Sequence, residues 1–137
     1  MTVEKDPSGL AAGSPGAKLD AGKNRLGLVL FGFAHALQEV GKIGTYGAKK
    51  YSDYGWMSVP NGEERYTDAL LRHLLKEATG ELLDPDTGLH HAAHAAWNAL
   101  ARLELIIIME SGGFQESAIR AVMELNAASA PREEDGE

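Results

Sequence analysis

Four polar side chains interrupt the most apolar segment of this chain, which runs from Leu89 to Met109. They are His91, His94, Asn98 and Arg102. Their spacing of i, i+3, i+7 and i+11 places them on one side of an α-helix. Because a helix that is apolar all round is normally buried, these polar groups need either partners on a neighbouring helix or a ligand.

Matching polar groups stand on one edge of the preceding helical pattern. His73 and Glu77 are four residues apart, so they are neighbours on a helix surface. A short turn forces two helices to lie antiparallel side by side, which would bring this pair to His91 and His94. We therefore predict a cluster of imidazoles and one carboxylate at the turn end of a helical hairpin, with Asn98 one turn deeper.

Length and composition indicate one small, acidic domain. The chain has 137 residues, 44% of them hydrophobic, a formal net charge of −7 and no cysteine. Disulfides and zinc–thiolate sites are therefore excluded, and a nucleic-acid polymer is a poor partner for so acidic a chain. Residues 1–18 contain no apolar run typical of a signal peptide, and residues 103–109 belong to a helix with polar members. We expect no membrane association and a cytoplasmic location.

Helical periodicity predicts an all-α fold, a helical bundle of four main helices. The predicted helices cover about 26–44, 63–79, 89–110 and 114–128. Gly80 is the expected stop of the second helix, and the segment 81–88 is predicted to be a tight acidic turn. Asp84 and Asp86 could cap the following helix or bind a cation; because the segment fits no complete calcium-loop pattern, capping or turn formation is favoured. The predicted organisation is a flexible arm, a helical domain and a disordered acidic tail, at 1–17, 18–128 and 129–137.

A long loop between the first two predicted helices, at 45–62, is rich in aromatic and basic residues. It contains Tyr46, Lys49, Lys50, Tyr51, Tyr54 and Trp56. Aromatic rings stack on nucleobases and lysines contact phosphates, so the composition is typical of a nucleotide site. Rings that cover one end of a small core would have the same composition, and the two roles are compatible.

Several short motifs, taken as a set, resemble one family. In chain order they are Lys18-Leu19-Asp20-Ala21-Gly22-Lys23, Tyr46-Gly47-Ala48-Lys49-Lys50-Tyr51, Trp56, Arg65-Tyr66-x-Asp68-Ala69, Arg72-His73, Gly80-Glu81, Asp84-Pro85-Asp86-x-Gly88 and His91-x-x-His94-Ala95-Ala96-x-Asn98. From about Lys18 to Leu105 the chain resembles the phage dATP/dGTP diphosphohydrolase N-terminal family. That family cuts purine deoxynucleoside triphosphates to monophosphate and pyrophosphate, and is compared with MazG-like pyrophosphohydrolases, which are helical, metal-dependent oligomers. The resemblance implies a MazG-like bundle and a purine nucleotide as ligand.

The metal implied by this resemblance is a divalent ion, magnesium, manganese or another first-row metal. MazG-like enzymes hold magnesium on EExxE and ExxD motifs, whereas this chain has no EExxE and has His91-x-x-His94 where an ExxD is expected. Magnesium prefers oxygen ligands, and imidazole suits zinc, manganese, iron, cobalt or nickel. Three interpretations stay open: a different metal, histidines that bind phosphate or base, or nucleotide binding without cleavage.

The hydrolase interpretation assigns a role to each candidate residue. The catalytic set is Glu77, His73, His91 and His94; the metal ligands are Glu77, His91 and His94; the nucleotide-binding set is Lys18, Lys23, Lys49, Tyr51, Trp56, Arg72 and Asn98. Arg72 faces away from Glu77 on the predicted helix, so it would serve a site on a neighbouring subunit. The third predicted helix is apolar on more sides than one small chain covers, which predicts a homo-oligomer, a dimer or tetramer.

Two other functions fit the same residues. A non-catalytic phage protein that acts as a sponge and sequesters a nucleotide immune signal would use the same aromatic and basic side chains without a metal. A structural helical bundle would use the histidines only to satisfy one another. Product analysis with nucleotides separates these interpretations.

Overall fold

The computed structural model describes residues 3–112 together with Glu124, Leu125 and Ala128. The described residues form four α-helices and one short 3₁₀ turn: α1 at Gly27–Leu30, α2 at Ala34–Lys50, the 3₁₀ turn at Gly55–Ser58, α3 at Gly62–Ala78 and α4 at His91–Glu110. Within 3–112 there is no β-strand, and pairing is limited to an isolated β-bridge between Leu83 and His90. The predicted all-α class is confirmed.

The chain divides into two compact units, Met1–Ala34 and His35–Glu137. The described part of the first unit is a series of turns organised by the buried Asp6. The carboxylate of Asp6 accepts hydrogen bonds from the backbone N–H of Lys18 at 2.6 Å and of Ser8 at 2.7 Å. These donors, Lys18 first, hold the pKa of Asp6 below its usual value. The flexibility predicted for residues 1–17 stays a prediction.

The first predicted helix is two helices, and the second of them is longer than expected. Turns at residues 31–33 separate α1 from α2, and a side chain at Gly32 would meet the carbonyl oxygen of Leu28 at 2.5 Å. The C-terminal end of α2 continues to Lys50, six residues past the predicted end at Gly44. Its last three residues, Ala48, Lys49 and Lys50, are good helix formers, and the two lysines are favourably placed near the negative end of the helix dipole. The loop is therefore shorter, at 51–61, and it keeps Tyr51, Tyr54 and Trp56, whereas the two lysines predicted in it belong to α2.

The predicted stop of α3 at Gly80 is confirmed. Gly80 has φ of +96°, a left-handed conformation that glycine adopts without steric cost. Its N–H donates to the carbonyl of Glu77 at 3.0 Å, and the N–H of Glu81 donates to the carbonyl of Lys76 at 3.1 Å. These two bonds form a Schellman motif, which satisfies the last carbonyls of the helix and turns the chain.

Helices α3 and α4 pack against each other in antiparallel order. His73, near the end of α3, contacts His91 at the start of α4, and Thr67 further back contacts Arg102. At the start of α3, a side chain at Gly62 would lie 2.7 Å from Cδ1 of Leu105. The glycine thus permits close approach of the two helices, and the hairpin predicted from the sequence is present.

The apolar core of the described residues is small and rich in alanine. Its buried members are Ile43, Met57, Ala93, Ala95, Ala101, Leu105 and Ile108. Three aromatic rings extend this core in edge-to-face contacts, with centroids 5.7–6.3 Å apart: Trp56, Tyr66 and Trp97. The hydroxyl of Tyr66 donates to the carbonyl of Trp56 at 2.7 Å, and burial raises the pKa of Tyr66. Trp56 therefore has the core-covering role.

Helix α4 is long and apolar enough to cross a membrane by length and composition alone. Its packing against α3 and its buried His91, His94 and Asn98 are features of a core helix. Most of the predicted helix at 114–128 lies outside the described residues, although Glu124, Leu125 and Ala128 are helical. The predicted tail at 129–137 also lies outside them.

Candidate functional site

The connection between α3 and α4 folds back onto the start of α4. The N–H of Asp84 donates to the carbonyl of Leu89 at 2.8 Å, and the N–H of His91 donates to the carbonyl of Leu82 at 3.0 Å. The Asp84 Oδ1 atom accepts from the N–H of Asp86 at 2.9 Å and of Thr87 at 3.1 Å. Asp84 thus forms the turn, one of the two roles predicted for it, and the fold-back places its carboxylate beside the histidines.

Three imidazoles converge where the hairpin turns, as predicted. The Nδ1 atoms of His73 and His91 are 2.8 Å apart. The rings of His73 and His94 stack almost in parallel, with centroids 4.4 Å apart and an interplanar angle of 8°. Only 2% of His91 is exposed to solvent, whereas His73 is half-buried. The group of His73, His91 and His94 is called the histidine cluster below.

The carboxylates beside the histidine cluster come from the turn. Glu81 Oε1 lies 2.8 Å from His91 Nε2, and Asp84 offers an oxygen within 4.8 Å of the ring nitrogens of His73 and His91. Glu77 is exposed, and its side chain makes no hydrogen bond or ion pair with any residue that the structure describes. Helix α3 ends one residue after Glu77, and the returning turn brings Glu81 and Asp84 to the imidazoles instead.

The hydrogen-bond partners of the imidazoles indicate which ring nitrogens carry protons. A carboxylate accepts only, so His91 donates Nε2–H to Glu81, and in the neutral form of the ring Nδ1 then carries the lone pair. His73 then donates its Nδ1–H to that nitrogen, and His94 Nε2 pairs with the Thr87 hydroxyl at 2.8 Å. The tautomers follow from the network of partners.

Burial lowers the pKa of two of the three imidazoles in the histidine cluster. Desolvation lowers the pKa of His73, and the neighbouring imidazoles of His94 and His91 lower it further. Desolvation also lowers the pKa of His94, although the Asp84 carboxylate opposes it. Burial alone would raise the pKa of Asp84, but the N–H groups of Thr87 and Asp86 outweigh it and the net pKa is lowered. Near neutral pH, His73 and His94 are therefore neutral beside an ionised Asp84.

The rest of the polar stripe on α4 is satisfied by protein groups. Asn98 is 6% exposed, and its Nδ2 donates to the carbonyl of His94 at 2.8 Å. Arg102 Nε donates to the Thr67 hydroxyl at 2.8 Å. Every buried side-chain nitrogen and oxygen in the described part of the chain has a hydrogen-bond partner. The partners that the sequence demanded thus come from α3, the turn and α4 itself.

A cleft of about 960 Å³ opens beside the histidine cluster. It lies between the C-terminal half of α2, the loop at 51–61 and the facing sides of α3 and α4. His73, His94 and Asn98 belong to its wall, so part of the cluster is shared with the cleft. This volume is at the upper end of the range usual for small-molecule sites.

Aromatic and charged side chains form the remainder of the cleft wall. Its aromatic members are Tyr46, Tyr51, Tyr54, Trp56, Tyr66 and Trp97, and its charged members are Lys50, Asp53, Arg65, Asp68 and Arg72. Three cations thus face two carboxylates here, whereas the whole chain carries a net charge of −7. The cleft is the locally basic pocket that a small anionic ligand requires.

Lys50 occupies the position that the sequence assigned to Lys49. Lys50 lines the cleft, and its Nζ lies 5.4 Å from the centroid of the Tyr51 ring. Tyr51, by hydrogen bonding and then by charge, raises the pKa of Lys50. Lys49 is exposed at the end of α2 and does not line the cleft. Of the two rings predicted to bind the ligand, Tyr51 is 76% exposed, whereas Trp56 is half-buried among the core rings. Tyr54, in the same loop, is 41% exposed.

Arg72 lines the same cleft as His73 within one chain, together with Arg65 and Asp68. The sequence placed Arg72 on the side of α3 opposite Glu77, and Glu77 is not part of the cleft wall. Arg72 therefore needs no neighbouring subunit to reach the site.

The two lysines predicted before the first helix belong to the other unit of the chain. Lys23 Nζ lies 3.1 Å from Glu4 Oε1, and Lys18 Nζ lies 3.9 Å from Asp20 Oδ2. Both lysines are well exposed, at 58% and 82% for their side chains. Their role in phosphate binding stays a prediction.

The segment of the chain that forms the cleft matches a known sequence family. Residues 13–113 match the family described as dATP/dGTP diphosphohydrolase, N-terminal. The chain belongs to this family. The matched residues of the dATP/dGTP diphosphohydrolase N-terminal family include all of α1 to α4, the turn at 81–90 and the loop at 51–61.

A phage protein from this family is similar to the chain. The protein of Salmonella phage PMBT28 named dATP/dGTP diphosphohydrolase is 40% identical over 81 residues, which is 59% of this chain. The aligned part is 26% of the length of that relative, so the chain spans about a quarter of it. No solved structure matches the chain, and the likeness to MazG-like enzymes stays a prediction from the sequence.

Proposed function

We propose that this chain hydrolyses purine deoxynucleoside triphosphates to the monophosphate and pyrophosphate. Membership of the dATP/dGTP diphosphohydrolase N-terminal family supports the substrate class. The observation that carries the proposal is the shared position of His73 and His94, which belong both to the histidine cluster and to the cleft wall. A nucleotide in the cleft would therefore have its phosphates next to neutral imidazoles and an ionised carboxylate.

The cleft has the groups that nucleotide binding needs. Arg72 and Arg65 present guanidinium groups, which match the geometry of phosphate oxygens by bidentate hydrogen bonding. Arg72 is exposed and makes no hydrogen bond or ion pair within residues 3–112, so its donors are available. The exposed rings of Tyr51 and Tyr54 offer faces on which a purine would stack.

The reaction breaks the bond between the α- and β-phosphoryl groups by attack of water on phosphorus. The attacking water must lose a proton, and the leaving pyrophosphate gains negative charge. Asp84, which is ionised and close to His73 and His91, is the carboxylate proposed to act at this step. Arg72, Arg65 and Lys50 would stabilise the charge on the phosphates. A divalent ion, when bound at the histidine cluster, would neutralise phosphate charge and lower the pKa of water.

Product analysis tests this proposal. The protein should be incubated with dATP, dGTP, the other deoxynucleotides, ribonucleotides and cyclic dinucleotides, each with magnesium, manganese, cobalt or zinc. We expect dAMP or dGMP and pyrophosphate to appear on chromatography. Intact nucleotides under every condition, recovered bound to the protein, would contradict the hydrolase and favour the non-catalytic sponge.

The carboxylate role is tested with two glutamates. We propose that Glu81 orients His91, whereas the sequence assigned catalysis and metal binding to Glu77. Glu81→Gln should lower kcat about tenfold or more because the amide no longer fixes the tautomer of His91. Glu77→Gln is the matched control and should retain kcat, since Glu77 is exposed and without a partner among the described residues. A loss of turnover in Glu77→Gln alone would restore the assignment made from the sequence.

We also propose that the chain self-associates, as a dimer or tetramer, through the outer side of α4. Leu100, Leu103 and Ile107 are each about half exposed, and their spacing of three and four residues aligns them on one side of the helix. Exposed apolar rows of this kind are typical of interfaces between copies. Light scattering at micromolar concentration should give a multiple of 14.6 kDa. Leu103→Glu with Ile107→Glu should shift the protein to the monomer, and a wild-type monomer would refute the interface.

A further inference from the structure

We infer that His73, Asp84 and His91 bind a first-row transition-metal ion, with Glu81 as the residue that orients His91. The ligand set differs from the one proposed from the sequence, which used Glu77, His91 and His94. For its biological role the inference rests on the proposed function. Binding of the ion itself is measurable without any nucleotide.

The ligand atoms of this group already lie close enough to share one ion. One nitrogen from each of His73 and His91 and one oxygen of Asp84 are within 4.8 Å of one another. Zinc binds imidazole nitrogen at about 2.0–2.1 Å and carboxylate oxygen at about 2.0–2.2 Å, so tetrahedral ligand atoms are about 3.3 Å apart. The His73 and His91 nitrogens, now 2.8 Å apart, would separate by about half an ångström.

The hydrogen bond from His91 to Glu81 prepares the His91 ring for a metal. Because Nε2–H donates to the Glu81 carboxylate, the lone pair of Nδ1 points toward His73 and away from Glu81. Metal-bound histidines are usually held in this way, by a carboxylate on the second ring nitrogen. His73 is equally suited once its proton resides on Nε2, since its Nδ1 then also carries a lone pair.

His94 is excluded from the ligand set by its own partner. Its Nε2 pairs with the Thr87 hydroxyl at 2.8 Å, and its ring stacks flat on His73 at 4.4 Å. A stacked ring directs its nitrogens parallel to the neighbouring ring and not toward the point that His73 and His91 share. His94 thus supports His73 by packing and lines the cleft.

The donor set selects the class of ion. Two imidazole nitrogens and one carboxylate oxygen suit zinc, manganese, iron, cobalt or nickel. Magnesium requires nearly octahedral oxygen coordination and keeps its water, so a site with two nitrogens, one of them on a histidine that is 2% exposed, disfavours it. Because His73 also lines the cleft, the ion would be adjacent to the phosphates of a bound nucleotide.

Cobalt(II) is the probe, because its visible absorption reports nitrogen and oxygen coordination directly. The protein, first treated with a chelator, is titrated with cobalt(II) and then with magnesium or zinc. We expect one cobalt ion per chain, intense visible bands, displacement by zinc and no displacement by excess magnesium. Bands no stronger than those of the aqueous ion, or displacement by magnesium, would overturn the inference.

Four variants assign the ligands. His73→Ala and Asp84→Asn should abolish the bands, and Glu81→Gln should weaken affinity by about tenfold to a hundredfold. His90→Ala is the matched control: His90 is exposed, adjacent to His91 and not part of the group, so its variant should bind as the wild type does. His73 is half-buried, so its replacement tests the site with less risk to the fold than that of His91. Circular dichroism of each variant without metal verifies folding. Bands that survive in a folded His73→Ala variant would overturn the ligand set.

The metal site and the hydrolase can fail separately. Cobalt bound with these variant effects, but no cleavage of dATP or dGTP, would refute the proposed function and retain the metal site. Cleavage that proceeds with magnesium and is unaffected by His73→Ala, in a protein without cobalt bands, would retain the hydrolase and overturn the metal site.

Discussion

Asp84→Asn should lower kcat for dATP or dGTP hydrolysis by about a thousandfold. The substitution removes the negative charge beside His73 and His91 but keeps the Oδ1 acceptor. That atom holds the turn through the N–H groups of Asp86 and Thr87, so the turn should persist. The loss therefore reports the chemistry of the carboxylate and not a change of fold. Steady-state kinetics with pyrophosphate detection measures it.

Asp86→Asn is the control for this experiment. Asp86 is exposed in the same turn and takes part through its backbone N–H, which the substitution leaves unchanged. Its kcat and its melting temperature should match those of the wild type. Equal losses of kcat in Asp84→Asn and Asp86→Asn would show that the total negative charge of the turn affects kcat. Asp84 would then have no specific role in the mechanism.

Trp97→Ala should lower the free energy of unfolding by about 3 kcal/mol. Trp97 lies at the centre of the aromatic contacts, 5.8 Å from the Trp56 ring and 5.7 Å from the Tyr66 ring. Its indole also approaches Gly44 on α2 closely enough to touch a methyl group placed there, at 3.4 Å. Few large side chains are buried in the described core. Loss of the Trp97 ring therefore removes many of the apolar contacts by which α4 packs against α2, the 3₁₀ turn and α3.

Urea unfolding at one fixed protein concentration measures this loss, because self-association would otherwise change the apparent stability. Tyr51→Ala is the matched aromatic control. Tyr51 is 76% exposed, so its loss should change the unfolding free energy by less than about 0.5 kcal/mol. If both variants unfold at the same urea concentration as the wild type, the aromatic contacts do not stabilise the fold.

The hairpin of α3 and α4 was predictable because the sequence signals for its helices are local. The apolar run with its polar stripe defines one long helix, and Gly80 ends α3 by its left-handed conformation. The antiparallel packing follows from the short connection. The convergence of His73, His91 and His94 could therefore be predicted from spacing alone.

The carboxylates could not be placed by periodicity because they lie outside the helices. A helical wheel ranks Glu77 by its angle relative to His73, but it cannot place residues beyond the end of α3 at Ala78. The positions of Glu81 and Asp84 depend on two backbone hydrogen bonds, from the N–H of Asp84 to the carbonyl of Leu89 and from the N–H of His91 to the carbonyl of Leu82. Sequence spacing reveals no such fold-back, although the Asp84-Pro85-Asp86 motif marked the turn as part of the family pattern.

The extent of α2 was missed for a different reason. Gly41, Gly44 and Gly47 are typical of loops, and each lowers helix stability by about 1 kcal/mol relative to alanine. In the structure all three are helical, and Gly44 faces Trp97. Tertiary packing against the indole compensates for the weak local preference, and such packing is not visible in a linear pattern.

The His73–His91 contact joins residues 18 positions apart, and Glu81 closes a second contact within that loop. Any occupant that ties these segments together binds the folded hairpin and not the extended chain, so occupancy and folding are thermodynamically linked. A ligand at a hundred times its Kd adds about 2.7 kcal/mol to the free energy of unfolding. That increment is large beside the total stability of a small domain, about 5–15 kcal/mol. The amount of folded protein in a cell would then rise and fall with the free concentration of the occupant.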